Sequence, residues 1–177
     1  QIWEKRELEG KPLSERDEIN LSYQLAIRLP EKADEIVNEQ LKRISNPDRQ
    51  AEYRFISPSV SPRKEVRDSV FEALLVADNR RIEPWASTAL SLLNHRLREA
   101  ESVEYIRPAL EILEEVQRTG DIFFPTAWLR ALLGGHSSVQ ARDEVEAFYA
   151  EYPDFPEMLL NKIRQQADHL YRLHAGE

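Results

Sequence analysis

Histidine is the residue of this sequence best suited to bind a transition metal, because cysteine is absent. The four histidines are His95, His136, His169 and His174. A zinc-binding helix usually supplies two ligands at positions i and i+4, as in H-E-x-x-H. His169 and His174 are five residues apart, which turns them about 140° away from each other on a helix. We therefore interpret each histidine as a surface or helix-end residue and predict no metal site in this chain.

Motifs for nucleophilic catalysis are also missing from the sequence. It contains no G-x-S-x-G motif, no thiol and no G-x-x-x-x-G-K phosphate-binding loop. Pairs of adjacent carboxylates occur at 17–18, 114–115 and 143–144, and on an acidic helical protein such pairs are typical of solvated helix faces. We predict no catalytic residue and no cofactor for this chain by itself.

The segment GGHSS at 134–138 has two interpretations. Gly134 and Gly135 follow a leucine-rich stretch, where a C-cap glycine in the left-handed conformation belongs. Ser137 or Ser138 can then cap the next helix, with Val145 on its apolar face. We therefore predict a helix–turn–helix corner. The alternative is a nest of backbone N–H groups that binds an anion.

A basic and aromatic cluster begins with Arg49, Tyr53 and Arg54 and continues with basic residues at 63–67. Helical spacing places Arg49 and Tyr53 on one face. The cluster is either a solvated helix with surface ion pairs or an anion site, for example for a peptide carboxylate. Arg49 and Arg54 are the candidate substrate-binding residues.

The composition is that of a globular protein with an acidic surface. The 177 residues suffice for one helical domain over 1–177, and the net charge is −8, from 24 basic and 32 acidic side chains. An acidic surface repels phosphate backbones, so we do not expect nucleic acid as a partner. The apolar runs fall short of the roughly 20 residues needed to cross a bilayer, so no membrane span is predicted.

Prolines and apolar spacing together predict an all-α fold. Pro30, Pro47, Pro62 and Pro84 read as helix starts, because proline is tolerated in the first turn. The apolar periodicity predicts about nine helices of 10–18 residues and no strand. Helix pairs of roughly 35–40 residues match an irregular α–α superhelix of the HEAT or armadillo kind. A compact helical bundle is the alternative.

The three tryptophans are interpreted by their positions in the predicted helices. Trp85 and Trp128 lie on apolar faces and are predicted to be core residues. Trp3 is predicted to anchor the start of the chain.

Residues 77–138 and 152–172 resemble the C-terminal helical domain of aminopeptidase N-like zinc metallopeptidases, especially the bacterial ones. The resemblance spans roughly residues 43–173. The residues that carry it are EPW at 83–85 with Asn79 before it, YIRP at 105–108, QRTGDIFFP at 117–125 and LGGH at 133–136.

The resemblance implies a larger parent enzyme. Such an enzyme has a β-rich N-terminal domain and a thermolysin-like domain that holds zinc through H-E-x-x-H and a distant Glu. The helical C-terminal domain closes over the active site, forms one wall of its chamber and limits which peptides enter. The expected partners are therefore the other domains of the same polypeptide and the peptide substrates of the parent enzyme.

The resemblance also bears on the basic cluster. Some relatives hold the terminal carboxylate of the substrate with an arginine in a pattern like R-x-x-F-x-x-P. Phe55 and Pro58 fit this pattern, but Glu52 stands where the arginine would be. Arg54 or Arg49 would have to replace it.

Two hypotheses follow. The first is a non-catalytic wall domain of a zinc aminopeptidase. We favour a fragment of a larger protein, because the sequence begins with Gln1 and its only methionine is Met158. The second hypothesis is a free-standing helical-repeat scaffold that binds protein or peptide.

Overall fold

A computed structural model describes residues 1–173, so the predicted role of His174 lies outside the described residues. The α-helices are α1 Ile2–Lys5, α2 Glu15–Arg28, α3 Ala33–Arg43, α4 Pro47–Ile56, α5 Lys64–Leu74, α6 Glu83–Leu93, α7 Glu99–Ser102, α8 Ile106–Glu111, α9 Leu113–Thr119, α10 Phe124–Leu133, α11 Val139–Glu151 and α12 Glu157–Leu173. Short 3₁₀ helices lie at Pro30–Lys32, Ser57–Val60, Ala77–Arg80, Arg96–Arg98 and Val103–Tyr105. The all-α class is confirmed, and the number of long helices is close to the prediction.

The predicted helix starts are confirmed at Pro47 and Pro84, whereas the start at Pro62 was wrong by two residues, because α5 begins at Lys64. Pro47 opens α4 directly after Asn46, whose Oδ1 accepts hydrogen bonds from the main-chain N–H groups of Asp48 at 2.9 Å and Arg49 at 3.1 Å. Pro84 also lies in the first turn of its helix, and Pro30 opens a 3₁₀ turn. A missing N–H costs nothing at these positions because the first turn has no intrahelical acceptor for it.

The expectation that strands are absent was wrong for one small hairpin. Strand β1 (Glu7–Leu8) pairs antiparallel with β2 (Lys11–Pro12). The two residues between them have left-handed backbone, with φ of 51° at Glu9 and 76° at Gly10. Positive φ at both positions is the pattern of a tight hairpin turn, and a strand of two residues is too short to alternate visibly in the sequence.

The chain forms two compact units, Gln1–Asp68 and Ser69–Glu177. In the first unit α2 and α4 run parallel, because Arg49 contacts Glu15 and Tyr53 contacts Ser22. Helix α3 packs on α2. The prediction that Trp3 is an anchor is confirmed: it is buried, and its Nε1 donates to Gln40 Oε1 on α3 at 2.7 Å.

In the second unit α6, α10 and α12 run parallel to one another. The starts of α6 and α10 are joined by a hydrogen bond between Glu83 and Asp121, and their ends by one between Asn94 and His136. Helix α12 follows α10 in the same direction, because Lys162 contacts Thr126 in the first half of α10 and His169 contacts the main-chain oxygen of His136 just beyond its end. Parallel helices separated by returning segments are the layering of stacked helical repeats, whereas a bundle with short loops places its neighbours antiparallel.

The core of the second unit is centred on Trp128, which is completely buried and whose Nε1 donates to the carbonyl oxygen of Ala109 at 3.1 Å. The prediction for Trp128 is confirmed. Trp85 is only half-buried, so the prediction that it is a core residue was wrong.

None of the helices in residues 1–173 combines the length and the apolar character that crossing a membrane requires.

Candidate functional site

The segment 134–138 forms a corner between α10 and α11, as predicted. Ser138 is the N-cap of α11, and its side chain accepts a hydrogen bond from the N–H of Ala141 at 3.2 Å. The main-chain N–H groups of Ser137 and Ser138 both donate to Glu99 Oε1 at 2.5 Å, and the Ser137 hydroxyl donates to Oε2 at 3.0 Å. The corner therefore does receive an anion, but the anion is a carboxylate of the same chain.

Glu99 is held in its charged form by this arrangement. Burial alone would raise the pKa of its carboxyl group, but the hydrogen bonds from Ser137 and Ser138 outweigh burial and lower the pKa below its usual value. Glu99 lies 38 residues before Ser137, so local sequence pattern gave no sign of this contact.

The left-handed C-cap predicted at Gly134 and Gly135 was wrong. Gly134 has right-handed helical backbone with φ −64°, and among the described glycines only Gly10 has a positive φ. Gly135 has a steric role instead: a Cβ atom there would lie 1.7 Å from the main-chain oxygen of Asn94. Glycine is needed because the end of α10 approaches the backbone at the end of α6 too closely for any side chain.

The prediction that His136 is a surface or helix-end residue was wrong as to the surface, because the residue is only 2% exposed. Its Nε2 lies 2.8 Å from Asn94 Oδ1. The amide of Asn94 donates its Nδ2 to Leu90, so its oxygen faces the imidazole, and Nε2 carries the hydrogen.

The second ring nitrogen, Nδ1, has no hydrogen-bond partner within the described residues and lies 3.9 Å from Glu99 Oε1. Burial lowers the pKa of His136 to about 4; Glu99 acts against this shift and His169 adds to it. His136 is therefore neutral over the ordinary pH range.

The other described histidines take structural positions. His95 is a helix-end residue, as predicted: it is the N-cap of the 3₁₀ helix Arg96–Arg98, and its Nδ1 accepts a hydrogen bond from the N–H of Leu97 at 3.2 Å. The Nε2 of His169 contacts the main-chain oxygen of His136 at 3.0 Å. Within residues 1–173 no group of three or more His, Asp or Glu side chains is arranged to hold a metal ion.

A second corner joins the starts of α6 and α10. Glu83 Oε1 accepts the main-chain N–H of Asp121 at 2.8 Å, and Asp121 Oδ1 accepts the N–H groups of Phe123 and Phe124 at 2.7 and 3.0 Å. A Cβ atom at Gly120 would lie 2.5 Å from Phe124 Cδ1 and 2.9 Å from Glu83 Oε1. The EPW and TGD segments of the sequence thus meet in space.

Arg80 is a buried arginine of the second unit that the sequence analysis did not identify, and it joins two segments of that unit. Arg80 donates through Nη1 to the main-chain oxygen of Leu74 at 2.8 Å and through Nη2 to Glu115 Oε1 at 3.2 Å. Its guanidinium carbon lies 5.5 Å from the ring centre of Trp128. Burial lowers the pKa of Arg80, and Glu115 acts against that shift.

The predicted substrate-binding arginines do not form one site with Tyr53. Tyr53 is fully buried and stacks on Tyr23 with ring centres 5.1 Å apart. Arg49 donates to Glu15 Oε2 at 2.7 Å, while Arg54 is exposed and contacts Gln50 Oε1 at 3.5 Å.

Glu15, the partner of Arg49, is an unusually strong acid. A hydrogen bond from the main-chain N–H of Ser45 at 2.8 Å, together with Arg49, lowers the pKa of Glu15 to about 2. The carboxylate therefore stays charged at ordinary pH and remains in an ion pair with the guanidinium of Arg49.

Three surface grooves differ in how their arginines are neutralised. A groove of about 290 Å³ beside Trp3 contains Arg43, which is paired with Glu39 at 3.2 Å. One of about 200 Å³ next to α3 contains Arg63, which faces Asp34 at 3.9 Å. The third, of about 350 Å³, lies between α6 and α10 and contains Arg130.

Comparison of this chain with family models, with curated proteins and with solved structures finds no match.

Proposed function

We propose that this chain is the C-terminal helical domain of an aminopeptidase N-like zinc metallopeptidase. In this proposal it forms one wall of the chamber in front of the active site and restricts which peptides enter. The zinc and the catalytic groups belong to another domain of the parent protein.

The observation that carries the proposal is the position of the residues on which the resemblance depends. Glu83 and the TGD segment meet at the corner where α6 and α10 start. The LGGH segment meets Asn94 at the corner where the same helices end. These residues hold two helices together at both ends, which is what a domain needs if it acts through a fixed shape rather than through bond chemistry.

The first test is the reading frame that contains this sequence. An H-E-x-x-H motif followed by a more distant Glu upstream of Gln1 would support the proposal. A complete reading frame without that motif would contradict it and would leave a helical-repeat scaffold as the function.

The second test compares the isolated 177 residues with the complete protein in an aminoacyl-anilide assay with added zinc. We expect hydrolysis by the complete protein and none above background by the isolated chain. Hydrolysis by the isolated chain would contradict a purely structural role, because the catalytic groups would then lie within these residues.

The role of the basic segment can be tested in the complete protein through the Michaelis constant for short peptides. We expect Glu52→Arg to lower this constant and Arg54→Ala to raise it, if a carboxylate is bound here. Arg28→Ala is the matched control, because Arg28 is also exposed and also contacts a glutamine one turn before it. Equal constants for all variants would exclude contact between this segment and the substrate.

The second candidate is a scaffold that binds peptide, and the groove between α6 and α10 is the place where such a scaffold would bind it. Grooves of about 300–1,000 Å³ are the usual size of sites for small ligands, and this groove falls within that range. A groove of this kind could serve a chamber wall or a free-standing scaffold equally well.

A further inference from the structure

The groove between α6 and α10 is lined by small and hydroxyl-bearing side chains. Its lining includes Ser87, Thr88 and Ser91 from α6 and Ala127, Arg130 and Ala131 from α10. Small side chains leave room for a ligand to lie close to both helix backbones. Neither Asp nor Glu occurs among the described residues that line it.

The free polar side-chain groups in this groove can all donate hydrogen bonds. Arg130 is exposed and makes no ion pair or side-chain hydrogen bond with any residue of the described part. The hydroxyl groups of Ser87 and Ser91 likewise have no partner within residues 1–173, while that of Thr88 already donates to the carbonyl oxygen of Pro84 at 2.9 Å. A guanidinium flanked by free hydroxyl groups is suited to bind a carboxylate.

The unpaired state of Arg130 distinguishes this groove from the two in the first unit. Arg43 and Arg63, which line those grooves, both face a carboxylate. The sequence has 32 acidic against 24 basic side chains, so a shortage of carboxylates does not explain why Arg130 has no carboxylate partner within residues 1–173. The groove between α6 and α10 thus carries a positive charge that is complementary to an anionic partner.

An exposed aromatic residue stands just before α10, outside the groove lining, at a helical spacing that matches Ala127 and Arg130. Phe123 immediately precedes the helix and is 77% exposed. Phe123, Ala127 and Arg130 are spaced by four and three residues, so they follow one side of the helix, and seven residues span about 10 Å. A peptide in the polyproline II conformation places residues i and i+3 on one side, about 9 Å apart.

We propose that this groove binds an acidic peptide in the polyproline II conformation. Its carboxylate side chain bonds to Arg130, and a large apolar side chain three residues before it packs on Phe123. The inference does not rest on the assignment to a metallopeptidase, because the groove belongs to the described chain alone.

The test is a titration of the isotope-labelled 177-residue chain with acetyl-Leu-Pro-Pro-Glu-amide, followed by NMR. We expect shifts of the amide signals of Ser87, Ser91, Ala127 and Arg130. The neutral peptide acetyl-Leu-Pro-Pro-Gln-amide should bind about tenfold more weakly, because a charge-assisted hydrogen bond is replaced by a neutral one. Equal binding of the two peptides, or no shift of the groove amides at the highest soluble concentration, would overturn the proposal.

Substitutions separate a specific site from general attraction to a basic side chain. Arg130→Gln should weaken binding of the acidic peptide about tenfold, and Phe123→Ala should weaken it severalfold. The control is Arg118→Gln, which removes an arginine that is also exposed, lies outside the groove lining and has no ion-pair or hydrogen-bond partner for its side chain within residues 1–173. Circular dichroism verifies that each variant is folded. If Arg118→Gln weakens binding as much as Arg130→Gln does, the groove is not the site.

Discussion

In each unit a distant glutamate accepts hydrogen bonds from the residue just before a helix N-cap, but the surroundings of the two glutamates differ. In the first unit Glu15 accepts the main-chain N–H and the hydroxyl of Ser45, the residue before the N-cap Asn46. In the second unit Glu99 does the same for Ser137, the residue before the N-cap Ser138. In both, a glutamate far away in sequence fixes the chain where a helix begins.

The difference lies in what else surrounds each carboxylate. Glu15 has Arg49 as a counter-charge near the surface. Glu99 has a second main-chain N–H, from Ser138, and lies beside the buried imidazole of His136. The first corner therefore depends on an ion pair that salt can screen, and the second depends on close packing and on the exclusion of water.

The largest expected effect comes from Gly135→Ala, which tests the packing of the second corner. Its Cβ would meet the backbone of Asn94, which cannot move without displacing α6, so we expect the free energy of unfolding to fall by at least about 3 kcal/mol. Urea denaturation measures the change. Gly10→Ala is the control, since its Cβ meets open space and only its positive φ costs energy, about 1 kcal/mol. Equal losses for the two variants would contradict the steric role of Gly135.

Removing the two carboxylates compares the corners directly. We expect Glu99→Ala to lower the free energy of unfolding by about 2 kcal/mol, since two N–H groups lose their acceptor, and Glu15→Ala by about 1 kcal/mol. Urea denaturation of both variants gives the values. Glu114→Ala, on an exposed position of α9, should change stability by less than about 0.5 kcal/mol. A larger loss for Glu15→Ala than for Glu99→Ala would reverse the comparison.

The pH dependence should separate the two corners. His136 is neutral in the folded protein, with its pKa lowered to about 4 from 6.5, so its contribution is complete above pH 6.5 and is lost as the pH falls toward 4. The full shift corresponds to roughly 3 kcal/mol. Glu15, with its pKa lowered to about 2 from 4.5, keeps its contribution until the pH falls below 4.5.

Urea denaturation between pH 4 and 7 measures this dependence. We expect His136→Gln to flatten the loss of stability in that range, because a glutamine does not titrate there. An unchanged slope in His136→Gln would show that another group causes the acid sensitivity.

The smallest effect should follow from Arg49→Ala, which removes only the ion pair of the first corner. We expect a loss of about 0.5–1 kcal/mol in low salt, and less at high ionic strength. Arg16→Ala removes a nearby exposed charge from α2 without breaking a contact within the described residues. If salt leaves the effect of Arg49→Ala unchanged, the first corner is not held by charge.

The sequence predicted what depends on local pattern. The helices, the cap at Ser138 and the helix starts at Pro47 and Pro84 are specified within a few neighbouring residues, because capping and periodicity act over one or two turns. The hairpin at Glu7–Pro12 was missed because its strands are too short to show alternation.

The contacts that define the candidate site could not be predicted in this way. The buried His136 contacts Asn94, which lies 42 residues earlier. Arg49 pairs with Glu15, which lies 34 residues before it. Gly135 looked like a left-handed cap because its true constraint, the backbone of Asn94, is also distant in sequence. Only the tertiary structure brings these groups together.

The parallel course of α6, α10 and α12 has an electrical consequence. Their backbone dipoles add instead of cancelling, so the edge of the second unit at which they start carries excess positive potential. Glu83, Asp121 and Glu157 stand at these three starts and offset it. Part of the acidity of this protein is thereby explained by its own backbone, as compensation for three aligned helix ends.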